Sequence, residues 1–264
     1  TFRSPGRPHM PPAATYKHRG AHSALDSIHQ LAEIERKISM ENRSIAIDGP
    51  SGAGKSTLAR LTAKKFGLIY VDTGALYRTV GLYAIRNKVT SKYEEGVKRL
   101  LPDIKIEMMY DNDGLQRMIL NGTDVSEEIR TPQASIYASD VSAMVSVRSY
   151  LLNMQKEMAE KYDVIMDGRD IGTVVLPNAG LKIFLTAQLE ERARRRHKEL
   201  TDKKVAVTYD EVLRDIEYRD KNDSERSAAP LRAAPDAILV DTTGKSLDEC
   251  FHIICALAKE KLDL

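Results

Sequence analysis

The sequence predicts an α/β protein in which a parallel central sheet is wrapped by helices, and three observations carry the prediction. Short apolar runs alternate with longer amphipathic ones, the pattern of repeated strand–helix–strand units. The first apolar run passes directly into a glycine-rich loop and a helix-like stretch across residues 44–60. Between residues 93 and 140 the alternation gives way to a hairpin-like pair of runs, which marks an inserted α+β lobe.

Taken in order, the first strand is Ser44–Asp48 and the first helix runs from Lys55 to Phe66, stopped by Gly67. Leu68–Val71 is a short β-rich run, which Asp72-Thr73-Gly74 breaks before a helix from Ala75 to Arg86. Within the expected lobe, residues 91–146, Ile104–Tyr110 and Arg117–Leu120 flank the turn Asp111-Asn112-Asp113-Gly114, and Thr123–Ile129 reads as a helical turn. The core, expected over residues 40–90 and 147–264, resumes with a helix from Val147 to Lys161 and a buried strand, Tyr162–Met166, ending in the turn Asp167–Asp170. Leu181–Leu185 is the next strand, and Glu190–His197 lies on a helix within an expected lid at residues 187–205. A second charged helix covers Tyr209–Asn222 and Ala237–Val240 is the last strand. The closing helix starts at Ser246, where Glu249 completes a capping box.

A chain of 264 residues has room for one α/β core and such a lobe, at about 150 residues per domain. Hydrophobic residues at 42% and charged residues at 30% are ordinary for a globular protein, and no apolar run approaches the roughly 18 residues of a membrane span. The net charge of +2 divides into +3 over residues 1–39 and −1 over the rest. A near-neutral body argues against a protein that coats nucleic acid polymers, because that binding rests on neutralising phosphates. Cys250 and Cys255 fall in one apolar periodic stretch without C-x-x-C spacing, and read as buried, reduced thiols of a cytoplasmic protein. Residues 1–39 hold four prolines and four of the six histidines, and read as a disordered extension upstream of a functional start at Met40. Their Arg-containing, acid-poor start leaves an organellar transit peptide as the alternative.

Gly49-Pro50-Ser51-Gly52-Ala53-Gly54-Lys55-Ser56-Thr57 is a G-x-x-x-x-G-K-S loop between a strand and a helix, the context that makes it a phosphate site and the fold a three-layer P-loop NTPase. The glycines let the backbone approach phosphates, successive N–H groups form an anion nest, and the following helix adds its positive end. Lys55 supplies charge to the β and γ phosphates of ATP, and Ser56 offers a hydroxyl to Mg²⁺. Such phosphoryl transfer needs positioning and cations more than covalent help.

Three further stretches suit that chemistry. Asp72–Arg78 sets Thr73 near a helix N-terminus and gives Arg78 the chance to grip a phosphate through two hydrogen bonds, with the Tyr77 ring beside them. In isolation Tyr77 reads as packing and Arg78 as a surface charge; their place at a strand end favours the site. In Asp167–Asp170 a carboxylate, Asp167, helps organise Mg²⁺ and Arg169 binds phosphate, leaving Asp170 free for another task. A carboxylate favours cytosine, whose exocyclic amine stands where uracil has an acceptor. A salt-bridged structural loop is the alternative reading. Arg192, Arg194, Arg195 and Arg196 form either a solvated helix face or a lid that brings positive charge over the transferring group. Arg219, Asp223 and Arg226 recur at spacings that put them on one helix face.

With Gly49–Thr57, Asp72–Arg78, Asp167–Val175 and Arg219–Arg226 in this order, the chain resembles bacterial cytidylate kinases from about Ser44 to Leu262. The resemblance implies ATP and Mg²⁺ at Gly49–Thr57, with Ser56 and Asp167 toward the metal. It implies CMP or dCMP held by Thr73, Tyr77, Arg78, Ser139, Arg148, Arg169, Asp170, Arg219, Asp223 and Arg226. Cytosine falls to Ser139, Arg148 and Asp170, the sugar to Asp223 and the phosphate mainly to the arginines. Arg192, Arg195 and Arg196 match the lid pattern of the family, and with Lys55 and Arg169 they make the expected catalytic set.

The expected reaction is ATP and (d)CMP giving ADP and (d)CDP, by a monomer acting on mononucleotides in the cytoplasm, with no membrane or polymer partner. An acceptor phosphate is already anionic, so no strong base and no essential His197 or His252 is expected. A GTP switch is the second class considered, but Asn87-Lys88-Val89-Thr90 lacks the Asp of N-K-x-D. A P-loop kinase with a different acceptor is the third.

Overall fold

The computed structural model describes residues 43–264, so the readings of residues 1–39 and of Met40 lie outside the described residues. In chain order the elements are β1 (Ser44–Asp48), α1 (Lys55–Phe66), β2 (Ile69–Asp72), α2 (Thr73–Arg86) and α3 (Glu94–Leu100). Then come β3 (Ile106–Tyr110), β4 (Gln116–Leu120), β5 (Thr123–Asp124), α4 (Pro132–Ser142), α5 (Val145–Lys161) and β6 (Val164–Gly168). A π-helical turn (Ile171–Val175) leads to β7 (Leu181–Thr186), α6 (Leu189–Asp202), α7 (Tyr209–Glu225), β8 (Ile238–Asp241) and α8 (Leu247–Leu262).

The main sheet has the order β2-β6-β1-β7-β8 with every neighbouring pair parallel. Successive side chains of β1 serve opposite layers, as strand geometry requires. Ile45 and Ile47 pack with Leu58 and Ala59 of α1 and with Ile254 and Ala258 of α8. Ala46 packs on the other face with Val71, Met166, Ile171 and Val175. This is the expected layering of helices on both faces of a parallel sheet. A second sheet, β3-β4-β5, is antiparallel and shares a core with α2, α4 and α5 through Leu76, Val80, Met118, Leu120, Val141 and Leu151.

Strand order positions the site. Because β2, β6 and β1 are neighbours, their carboxyl ends lie side by side, with Asp72 opposite Asp167 and Asp48 opposite Gly168. Ligands of open α/β sheets collect along that edge.

Four local expectations change. Asp72-Thr73-Gly74 does not break the chain: Asp72 ends β2, and its carboxylate accepts the Ala75 N–H at 2.9 Å, so that α2 starts at Thr73. Thr123–Ile129 is not one helical turn but strand β5 followed by a 3₁₀ turn at Glu128–Arg130. Helices α3 and α4 occupy stretches for which no helix is expected. Arg226 lies just beyond α7, in extended backbone at its C-cap, rather than on the helix face of Arg219 and Asp223.

Candidate active site

The loop after β1 owes its shape to its glycines. Gly49, at φ 147°, lies so close to β7 that a Cβ there would fall 1.9 Å from the Leu185 carbonyl oxygen. Gly54, at φ 91°, is the left-handed N-cap of α1. Lys55 turns back over the loop and donates to the Pro50 carbonyl at 2.7 Å. Burial, with repulsion from Arg169 and Arg219, brings its ammonium down to about 7, the condition of a cation awaiting anions.

A continuous cleft of about 930 Å³ runs from this loop to α4 and α7. It is lined by Ser51–Thr57, Thr73, Tyr77, Arg78, Ser139, Asp167, Arg169, Asp170, Arg195, Arg196, Arg219, Asp223 and Arg226. Gly49, Pro50, Arg148 and Arg192, also expected at the site, do not line it. Gly49 and Pro50 still shape the loop.

On the loop side, Ser56 donates to Asp167 Oδ2 at 2.9 Å and the Tyr70 hydroxyl donates to Oδ1 at 2.8 Å. Burial and the adjacent Asp72 push the Asp167 carboxyl up, against the pull of Lys55. A hydroxyl touching a carboxylate short of positive charge fits a hard divalent cation. Among the described residues no cluster of three His, Cys, Asp or Glu could cage a metal.

The side of the cleft toward α4 and α7 is a lattice of guanidinium–carboxylate pairs. Arg78 donates to Asp72 at 2.6 Å, and Arg169 donates to Asp223 at 2.7 Å and to the Ser51 hydroxyl at 2.9 Å. Ser139 donates to the other Asp223 oxygen at 2.9 Å and accepts from Asn222 at 2.9 Å. Burial opposes the Asp223 charge, but Arg169, Arg219 and Arg226 together hold its carboxyl below the ordinary range. Thr73 donates to the Asp167 carbonyl at 2.8 Å, which fixes the start of α2 against β6. Tyr77 is buried, with the Arg148 guanidinium 5.8 Å from its ring centre.

Arg219 is the exception. Its Nε is buried without a partner, as is the Nε of Arg78. Burial and the nearby Arg169 bring the Arg219 guanidinium down to about 10.

Both oxygens of Asp170 are paired. It is 4% exposed and held between two arginines, with Arg148 on Oδ2 and Arg226 on Oδ1 at 3.2 Å. Arg226 also reaches the Ser142 hydroxyl at 2.7 Å and the Ala229 carbonyl at 2.8 Å.

Arg192, expected in the lid over the transferring group, is turned toward the phosphate loop instead. It is 7% exposed, pairs with Asp220, and donates at 2.9 Å both to the carbonyl of Ser51 in the loop and to that of Ala187. Arg195 and Arg196 do face the cleft; Arg195 is anchored on Thr242 and Glu191, Arg196 on Glu199. Arg194 pairs with Glu191 at the surface.

Sequence reasoning missed three residues here. Asp220 accepts the Ser51 N–H at 3.2 Å. Gln116 clamps the Asp72 backbone, accepting its N–H at 2.8 Å and donating to its carbonyl at 3.3 Å. Arg130 lines the cleft beside Asp72.

Residues 45–260 match the family model for cytidylate kinase. Over 220 residues the chain is 50% identical to a cytidylate kinase of Thermosipho melanesiensis, covering 83% of this chain and 98% of the relative. It is also 50% identical to one of Carboxydothermus hydrogenoformans, covering 83% and 99%, and to one of Caldicellulosiruptor bescii, covering 83% and 96%. A phosphate loop, an arginine-rich acceptor side and half-identity across nearly whole relatives converge: the chain belongs to the cytidylate kinase family.

Proposed function

We propose that the cleft transfers the γ-phosphoryl group of ATP to the phosphate of CMP or dCMP, giving ADP and CDP or dCDP. One observation carries the reading: Arg219 and Arg78 keep buried, unpartnered Nε atoms in the same cleft as the phosphate loop, so that cations await an anion opposite Lys55.

In this reading Gly49–Thr57 cradles the donor phosphates and Lys55 regains its full charge against them. Ser56 and Asp167 would hold Mg²⁺, which would supply charge neutralisation to the donor phosphates. Arg78, Arg169 and Arg219 receive the acceptor phosphate, and Thr73 and Tyr77 form the wall beneath it. Ser139, Arg148 and Asp170, with Arg226, read the cytosine edge, while Asp223 faces the sugar. The arginines beside Asp170 orient it, and a carboxylate oxygen retains lone pairs for the cytosine amine. Arg195 and Arg196 bring positive charge from the lid, and Arg192 holds the loop in shape.

The acceptor oxygen is anionic near neutral pH and attacks phosphorus directly, so this chain's task is alignment and charge neutralisation rather than proton removal. The lid excludes water that would otherwise compete as acceptor. The reading takes the protein as a cytoplasmic monomer; no described helix is long and apolar enough to cross a membrane.

The test is ADP release with ATP and, in turn, CMP, dCMP, UMP, AMP, GMP or no acceptor, with Mg²⁺ or a chelator, on wild type and Asp170→Asn. Expected are Mg²⁺-dependent turnover with CMP and dCMP, weak turnover with UMP, and loss of that discrimination in the variant by about tenfold or more. Equal turnover across acceptors, or turnover with none, overturns the reading.

A further inference from the structure

Asp48 closes β1 and immediately precedes the glycine that opens the phosphate loop, yet none of the roles above uses it. It is 4% exposed, and both its oxygens are committed. Oδ1 accepts the Ile171 N–H and Oδ2 the Gly172 N–H, each at 2.8 Å. These are the first two residues of the π-helical turn that begins directly after Asp170.

The first N–H groups of any helical turn have no partner inside it. Here one carboxylate supplies partners for two of them from a neighbouring strand, reaching across the register that sets Asp48 opposite Gly168. The turn in turn fixes Asp170, whose carbonyl accepts the N–H groups of Val174 at 2.9 Å and Val175 at 3.2 Å. A Cβ at Gly172 would stand 3.2 Å from Cδ of Lys182, tighter than ordinary contact, and 3.4 Å from Asp48 Oδ2, in ordinary contact with it.

We propose that Asp48 is a positioning residue for acceptor choice: through the N–H groups of Ile171 and Gly172 it fixes Asp170 relative to the phosphate loop. The donor loop and the base-reading carboxylate are thereby held by one side chain, so the acceptor base and the donor phosphates are set in a common frame. The inference rests on the proposed assignment of Asp170 to the cytosine edge. Burial pushes the Asp48 carboxyl up to about 6, the two N–H bonds pull it down, and Asp170 and Lys55 act in opposite senses. An anion is thus kept in a place that disfavours charge, as expected of a group needed for its two acceptor oxygens.

The diagnostic variant is Asp48→Asn, which has the same size but offers one acceptor oxygen and turns an NH₂ group toward the second N–H. Steady-state rates are measured with CMP, UMP and ATP, together with Tm, on wild type, Asp48→Asn and Gly172→Ala. For Asp48→Asn the KM for CMP is expected to rise about tenfold and the CMP-over-UMP ratio of kcat/KM to fall at least about threefold, with the KM for ATP moving less than about twofold. Gly172→Ala, which presses the turn against the Lys182 stem and keeps the Asp48 charge, moves the same quantities in the same direction by less, and decides the matter alone if Asp48→Asn does not fold. Equal changes in the KM values for CMP and ATP, or a fall in kcat with the CMP-over-UMP ratio intact, overturn the positioning role in favour of a general support of the loop. No change in either also overturns it. A wild type that does not prefer CMP overturns the assignment of Asp170 itself, and with it this inference, before any variant is compared.

Discussion

Arg219→Met is expected to stabilise the unliganded protein and to abolish phosphoryl transfer. The guanidinium is held at about 10, below its ordinary 12.5, by burial first and by Arg169 second. A folded-state value below the unfolded one means that the charge costs stability at every pH where both states are protonated, and the cost fades only as pH rises through about 10. A shift of this size corresponds to about 3 kcal/mol, and screening through the open cleft reduces it to about 1–2 kcal/mol. Methionine keeps much of the apolar stem and removes the charge. For a folded body of this length the gain is about 2–8 °C in Tm.

The assay is thermal unfolding in a phosphate-free buffer, followed by the same measurement with saturating inorganic phosphate. Phosphate binds the native wild type and stabilises it by mass action, so the advantage of Arg219→Met shrinks or reverses. Transfer to CMP should fall by about 10³, a loss on the scale seen when an arginine is removed from a phosphoryl-transfer site. A lower Tm for Arg219→Met in phosphate-free buffer, or more than about a tenth of wild-type activity, would refute the account of Arg219 as a strained cation awaiting phosphate.

Two other outcomes follow from the loop. Gly49→Ala places a Cβ 1.9 Å from the Leu185 carbonyl at a φ of 147°, so β1 and β7 must separate. The expected loss exceeds about 4 kcal/mol and appears as insoluble protein or a Tm lowered by about 10 °C or more; a soluble variant with wild-type Tm would contradict the close approach. Lys55, held at about 7 without ligand, is largely neutral at pH 8 and recharges against donor phosphates. ATP binding at pH 8, followed by calorimetry in buffers of different ionisation enthalpy, should take up close to one proton more in wild type than in Lys55→Arg, whose guanidinium stays charged. Equal uptake in both would show that Lys55 is charged before ATP arrives.

The loop was legible because its spacing and its strand–helix context are both local. So were the caps: Gly67 is the left-handed stop of α1, and Ser246 with Glu249 forms the capping box that opens α8. Helix α4 was hidden because its buried face is built from Ala134, Ser135, Ala138, Ser139, Asp140 and Ser142, with Val141 as its one buried large apolar residue, which flattens the periodicity. A signal was nevertheless present in Thr131-Pro132, an N-cap threonine with proline at the first helical position. The pairing of Asp170 was not legible because its partners Arg148 and Arg226 lie 22 and 56 residues away in sequence. Asp48 meets the turn that it caps 123 residues on, and only an acid ending an apolar, fully buried strand hinted at it.

The acidic partners explain how so many cations share one cleft. Among the described residues, Arg78, Arg148, Arg169, Arg192, Arg194, Arg195, Arg196 and Arg226 of the site and lid each form an ion pair with Asp or Glu, whereas Arg130 and Arg219 do not. Carboxylates that fix the guanidiniums before ligand arrives remove most of the orientational cost that long side chains would otherwise bear during the reaction. They also set an order of engagement. A phosphate entering the cleft meets Arg219 without displacing anything, whereas Arg78 and Arg169 each share a carboxylate, Asp72 or Asp223, that the new anion must oppose. An acceptor that also satisfies Asp223 and Asp170 through its sugar and base offsets that repulsion. Inorganic phosphate or water has nothing with which to do so, and the same pairs that hold the arginines in place thereby favour a complete mononucleotide over its fragments.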